Sequence, residues 1–107
     1  MRYFTDYRDH VGSSPTRFFK TTLFQSPRIL VGMDCLEPGQ SQEAHVHTGR
    51  DKCYFVIEGT GTFTIGEETC KVSEDMVVWA PADVIHSVVN TGSQRLVMLI
   101  GMAPEPG

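Results

Sequence analysis

Nowhere in the 107 residues is there a run approaching the roughly 18 apolar residues of a membrane-spanning helix. The opening Met-Arg-Tyr-Phe-Thr-Asp also lacks the apolar core of a signal peptide. Basic residues are few and scattered: 9 Lys and Arg against 13 Asp and Glu leave a net charge of −4, so no basic face is on offer to a nucleic acid. These absences predict a cytoplasmic protein with neither a membrane nor a nucleic-acid partner. Cysteine is scarce as well. Cys35, Cys53 and Cys70 are odd in number and widely spaced, which excludes a disulfide framework and a CxxC metal or redox motif. They read as small buried hydrophobes, with Cys53 set apart by its place two residues after Asp51 on a strand near the candidate site. Also missing is any apolar period of about 3.6 residues held over ten residues, so no ordinary amphipathic helix is predicted.

What is present is a succession of short strands punctuated by turns, on a chain long enough for one core. Residues 1–16 form an aperiodic arm with three aromatics (Tyr3, Phe4, Tyr7) that ends in Gly12-Ser-Ser-Pro15, and His10 within it reads as solvated. Residues 17–102 form the domain, and 103–107 a loose tail. Within the domain, strands are predicted from Arg17, from Arg28, around His45, from Lys52 to Glu58, from Thr60 to Ile65, after the hairpin turn Gly66-Glu67-Glu68, and from Met76, Val84 and Leu96. Pro27, Pro38-Gly39, Gly49, Gly59, Pro81 and Gly92 mark the breaks between them. Many short strands with regular turns predict an all-β sandwich or barrel.

The chemistry concentrates in Gly39-Gln-Ser-Gln-Glu-Ala-His45-Val-His47-Thr-Gly-Arg-Asp51-Lys52. Two histidines two residues apart on an extended segment project from one face, because strand side chains alternate. Imidazole is the commonest metal-binding side chain. His86 lies on a second strand, where alternation places it with Val84, Val88 and Asn90. Pairing the two strands gathers three imidazoles, a nitrogen-rich and thiolate-free set with open positions that suits Fe, Mn, Ni, Cu or Zn.

Two linked patterns make the chain resemble the cupin superfamily, in particular its small single-domain conserved barrels. The first family motif runs Gly, five residues, HxH, three or four residues, Glu, six residues, Gly; Gly39, His45, His47 and Gly59 fit it here. The second runs Gly, five residues, Pro, one residue, Gly, two residues, His, three residues, Asn. Pro81, His86 and Asn90 fit it, while Asp75 and Asp83 replace both glycines. Asp tolerates the left-handed backbone better than most residues, so both turns are predicted to survive. The similarity spans roughly residues 30–100 and implies a double-stranded β-helix, or jelly-roll, barrel. It leaves the fourth ligand open. The family's Glu position falls on Lys52, and Asp51 lies one residue early, which on a strand means the opposite face. Parity with Cys53, Phe55 and Ile57, more apolar than Lys52, Tyr54 and Val56, argues for Asp51 facing inward.

The metal ligands predicted from this pattern are His45, His47 and His86, with Asp51 as the possible fourth, and Lys52 and Tyr54 are the candidate catalytic groups. Met33, Trp79 and Met98 are further candidates for pocket walls. The resemblance implies a metal-dependent enzyme on a small organic molecule, with dioxygenase and isomerase chemistry both within the family's range. The alternative is a metal-free barrel that binds a sugar or carboxylate. A homodimer is expected, built on the aromatic arm and the wholly apolar stretch Leu96–Ile100.

Overall fold

A computed structural model describes residues 3–104 of the chain. Nine strands follow one another: β1 (Phe19–Gln25), β2 (Leu30–Leu36), β3 (Ser41–His45), β4 (Asp51–Glu58), β5 (Gly61–Ile65), β6 (Glu68–Val72), β7 (Val77–Ala80), β8 (His86–Val89) and β9 (Leu96–Ala103). The one helical element among the described residues is a single 3-10 turn, Tyr7–Asp9, whose first turn is capped by the Asp6 carboxylate. β9 runs through Ala103, and residues 105–107 of the expected tail, like residues 1 and 2 of the arm, lie outside the described residues.

The strands form two antiparallel sheets, one ordered β1-β2-β9-β4-β7 and the other β3-β8-β5-β6, facing each other as a jelly roll. Turn chemistry sets the corners. Asp75 and Asp83, standing where the family pattern has glycine, both adopt positive φ (72° and 68°), as Gly39, Gly49, Gly59 and Gly66 do. Gly59 has a second reason to be glycine, since a Cβ there would lie 2.4 Å from the carbonyl oxygen of Arg95.

Inward side chains from both sheets make the core: Leu36, Tyr54, Val56, Phe63, Val88, Leu96, Met98 and Ile100 pack in one cluster. The Tyr54 and Phe63 rings meet edge to face at 4.8 Å. β9 is apolar on both sides because both sides are covered. Leu96, Met98 and Ile100 point into the barrel, while Val97 packs outside with Met33 and Cys35 under Tyr7 and Val11 of the arm. The arm thus closes the chain's own outer face, which removes the apolar β9 as a motive for pairing with a second copy. Asn90 ties two loops together from within: its amide donates to Leu36 and Gln94 carbonyls, both at 2.8 Å, and its oxygen accepts from Gly92 at 2.9 Å. Of the cysteines, Cys35 is buried as expected, whereas Cys53 on β4 and Cys70 on β6 are exposed.

Candidate metal centre and its cavity

Gln42 and His45 both face the barrel although they stand three positions apart, which simple alternation forbids. A bulge resolves this. Along β3, Ser41 pairs with Val89 and Gln42 with Val88, but His45 pairs with His86, so one extra residue is accommodated between Gln42 and His45. The bulge turns His45 inward and places it opposite His86. His47 follows just past the end of β3, and its carbonyl accepts the Asp83 amide at 3.0 Å.

The three imidazoles converge. Ring centroids lie 4.6 Å apart for His45 and His47, 4.2 Å for His45 and His86, and 5.2 Å for His47 and His86. One nitrogen from each fits within a 4.8 Å span. Two backbone carbonyls orient the set: Nδ1 of His45 meets the Glu43 carbonyl at 2.7 Å, and Nδ1 of His86 meets the Val84 carbonyl at 3.2 Å. A carbonyl only accepts, so both Nδ1 atoms carry the hydrogen and both Nε2 atoms present a lone pair. His86 Nε2 is buried with no hydrogen-bond partner. His45 Nε2 lies 3.0 Å from His47 Nε2. Burial, together with the neighbouring His45, Lys52 and His86, pushes the His47 imidazole down to about 4. Burial pushes His86 down as well, against the opposing pull of its bond to Val84. Three imidazoles that bring one nitrogen each into so small a span, one of them buried and orphaned, fit a divalent transition ion.

β4 corrects the parity expectation. Its buried face is Lys52, Tyr54 and Val56, and its exposed face carries Asp51, Cys53 and Phe55. Asp51 does not join the histidines. Its Oδ1 accepts the Ala82 amide at 2.8 Å, and Asp83, next in the same turn, donates to His47. Asp51 therefore holds the turn that holds His47. Lys52 is the inward neighbour, 6% exposed, with Nζ 3.4 Å from Asp34 Oδ2 and 4.6 Å above the Tyr54 ring. Gln42 Nε2 donates to the same Asp34 oxygen at 2.6 Å, and the Tyr54 hydroxyl donates to Gln42 Oε1 at 3.3 Å. Burial raises the Tyr54 phenol well above its usual range, keeping it a neutral donor.

A cavity of about 520 Å³ opens beside this set, lined by the polar side chains of His45, His47, Lys52, Asp34 and Gln42 and by the apolar Phe18, Leu30, Ile100 and Met102. Asp34 and Gln42 escape a reading of the sequence alone, although a carboxylate inside the apolar stretch Leu30–Leu36 is a visible signal. The other expected pocket walls lie elsewhere. Met98 is in the core, Met33 under the arm, and Trp79 is 57% exposed on the outside of β7. His10 bonds the Thr5 hydroxyl at 2.7 Å within the arm.

Residues 32–101 match the family model for the cupin domain, Cupin_2. An uncharacterised protein of Streptomyces coelicolor is 32% identical over 75 residues, 70% of either chain. Among solved structures, the TT1209 protein of Thermus thermophilus superposes with a TM-score of 0.92 at 35% identity, over 96% of this chain and 98% of that one. A Klebsiella pneumoniae protein with a double-stranded β-helix domain gives the same TM-score at 18% identity, over 99% and 93%. From the bulged histidine strand to the two turns that Asp75 and Asp83 close, the chain is a small member of the cupin superfamily.

Proposed function

We propose that this cupin binds a divalent transition ion, one of Fe, Mn, Ni, Cu or Zn, through His45, His47 and His86, and acts as an enzyme on a small organic molecule in the adjoining cavity. One observation carries the reading. Carbonyls hold the Nδ1 atoms of His45 and His86, which leaves Nε2 as the ligating nitrogen of each, and His86 Nε2 is buried with no hydrogen-bond partner. A bound ion with open positions supplies Lewis-acid or dioxygen-dependent chemistry, which makes an isomerase or a dioxygenase the fitting reaction classes. The chain's own contribution is positional: the β3 bulge aims His45, Asp51 and Asp83 set His47 through the loop, and Lys52 and Tyr54 line or support the pocket as candidate acid–base and binding groups. A cytoplasmic setting belongs to the same reading, supported by three unpaired cysteines, two of them exposed. So does a homodimer, supported by exposed Phe55, Val77 and Trp79 on one outer face.

The test is elemental analysis of protein prepared without an affinity tag or chelator, beside a His47→Ala variant. Near-stoichiometric metal in the native chain that vanishes in the variant supports the reading. Native protein that carries none, and takes up none of the five metals when they are added, overturns it. A second reading, a metal-free barrel for a sugar or carboxylate, has its own observation in Lys52, a cation on the cavity wall where a carboxylate ligand was expected.

A further inference from the structure

We propose that the ligand is a small organic acid with an apolar body, and that the Lys52 ammonium receives its carboxylate. This rests on the cavity being the ligand site and is independent of whether a metal is bound. Lys52 and Asp34 are 6% and 3% exposed, and ions at such depth lose most of their hydration. Hydrogen bonding within the protein does not use up the Lys52 cation. An ammonium carries three donors, and among the described residues the one side-chain hydrogen bond of Lys52 is the long one, 3.4 Å, to Asp34 Oδ2. That oxygen is held more closely by Gln42, at 2.6 Å. Gln42 in turn has its amide orientation set by the Tyr54 hydroxyl, which occupies its oxygen and leaves its NH₂ to face Asp34. Tyr54 also supports the ammonium from below with its ring face. The result is a cation fixed in place on a cavity wall with donors to spare, and a counter-ion drawn toward a third group.

The rest of the lining selects the ligand's shape and charge. Two further charged residues line the cavity, Lys20 and Glu43, and they offset one another. The imidazoles bring no negative charge. A ligand carboxylate on Lys52 would restore the full set of ammonium hydrogen bonds, with the body of the molecule against Phe18, Leu30, Ile100 and Met102. About 520 Å³ suits an acid of a few carbons up to a small ring. A pair kept only for structure gains little here, since matched hydrophobic residues usually serve a buried ion pair's position at least as well.

The experiment titrates isovalerate and its neutral isostere isovaleramide by ligand-observed NMR. Both are run on the protein as purified and again after chelation. Lys52→Met alone strands Asp34, so the informative variant is Lys52→Met with Asp34→Asn, which removes both charges and keeps an acceptor for Gln42; a thermal melt confirms that it folds. The expected result is a preference for the acid of about tenfold or more, in chelated as in purified protein, that disappears in the double variant. Equal binding of acid and amide by the chelated native chain, binding of neither, or a preference that survives in the double variant overturns the proposal. The metal reading fails separately, by elemental analysis, and the acid preference of chelated protein does not depend on it.

Discussion

Asp51 Oδ1 accepts the backbone N–H of Ala82 at 2.8 Å, outside the histidine cluster rather than within it. The adjacent Asp83 amide donates to the His47 carbonyl at 3.0 Å, so the carboxylate steadies a ligand's backbone through one turn. Asn at position 51 keeps an acceptor for Ala82 and loses only the charge. Asp51→Asn is therefore expected to hold metal nearly as the native chain does. Asp51→Ala is expected to bind about tenfold more weakly, as losses of orienting groups do, and His47→Ala to lose the site. Competition for Zn with a chromophoric chelator ranks the three. An Asp51→Asn variant as empty as His47→Ala would make Asp51 a ligand after all.

How far this site was legible in the sequence depends on how local each signal is. His45, His47 and His86 announce themselves through spacing, and the turns through Gly, Pro and the two Asp residues at positive φ. The succession of strands along the chain is likewise visible, because turn signals separate them. The inward face of β4 is not. Hydropathy favours Cys53 and Phe55, but the buried face carries Lys52 and Tyr54, because their partners Asp34 and Gln42 arrive from β2 and β3. A polar group is buried when something distant satisfies it, and alternation within one strand cannot see that partner. The β3 bulge is equally hidden, since it is a property of pairing with β8.

The metal-free site should make stability fall on the acid side of neutrality. His47 is held near pH 4 in the folded chain against an ordinary value of 6.5, first by burial and then by His45, Lys52 and His86. Between those values the unfolded chain binds a proton that the folded chain refuses, so unfolding becomes easier as pH drops. His86 is lowered in the same direction and adds to the effect. Urea midpoints of chelated protein are expected to decline from neutrality to about pH 5, more steeply than those of His47→Gln. Parallel profiles for the two proteins would remove His47 as the cause.

Asp34 and Lys52 should be strongly coupled in stability. Removing one partner of a buried pair leaves an uncompensated charge, at a cost of about 3–5 kcal/mol in well-formed cases. The 3.4 Å separation and the Gln42 contact place Lys52→Met toward the lower end. Asp34→Asn leaves the ammonium without its counter-charge. The double variant, with neither charge, is expected to be more stable than either single one. A double-mutant cycle in urea reads the coupling directly. Strict additivity would show that the two groups do not interact across that distance.

The outer face of β4 and β7 is where a second copy is expected to dock. Cys53 pairs with Trp79 and Phe55 with Val77 across the two strands, and Phe55, Val77 and Trp79 are 38%, 69% and 57% exposed. Among the described residues β7 is also the last strand of its sheet, with its outer edge beside this apolar surface. Contiguous aromatic and aliphatic surface of this kind on a small domain points to association, and the arm already covers the outer side of the same sheet at β2 and β9. Sedimentation equilibrium at micromolar concentration is expected to give a dimer mass for the native chain. The pair Val77→Lys and Trp79→Glu is expected to give a monomer, with the histidine site still able to take up metal because both side chains point away from the cavity. A monomeric native chain would leave this apolar face without a partner of its own kind, and a dimer unaffected by the two substitutions would move the interface elsewhere, with the free edge of β1 the next place to look.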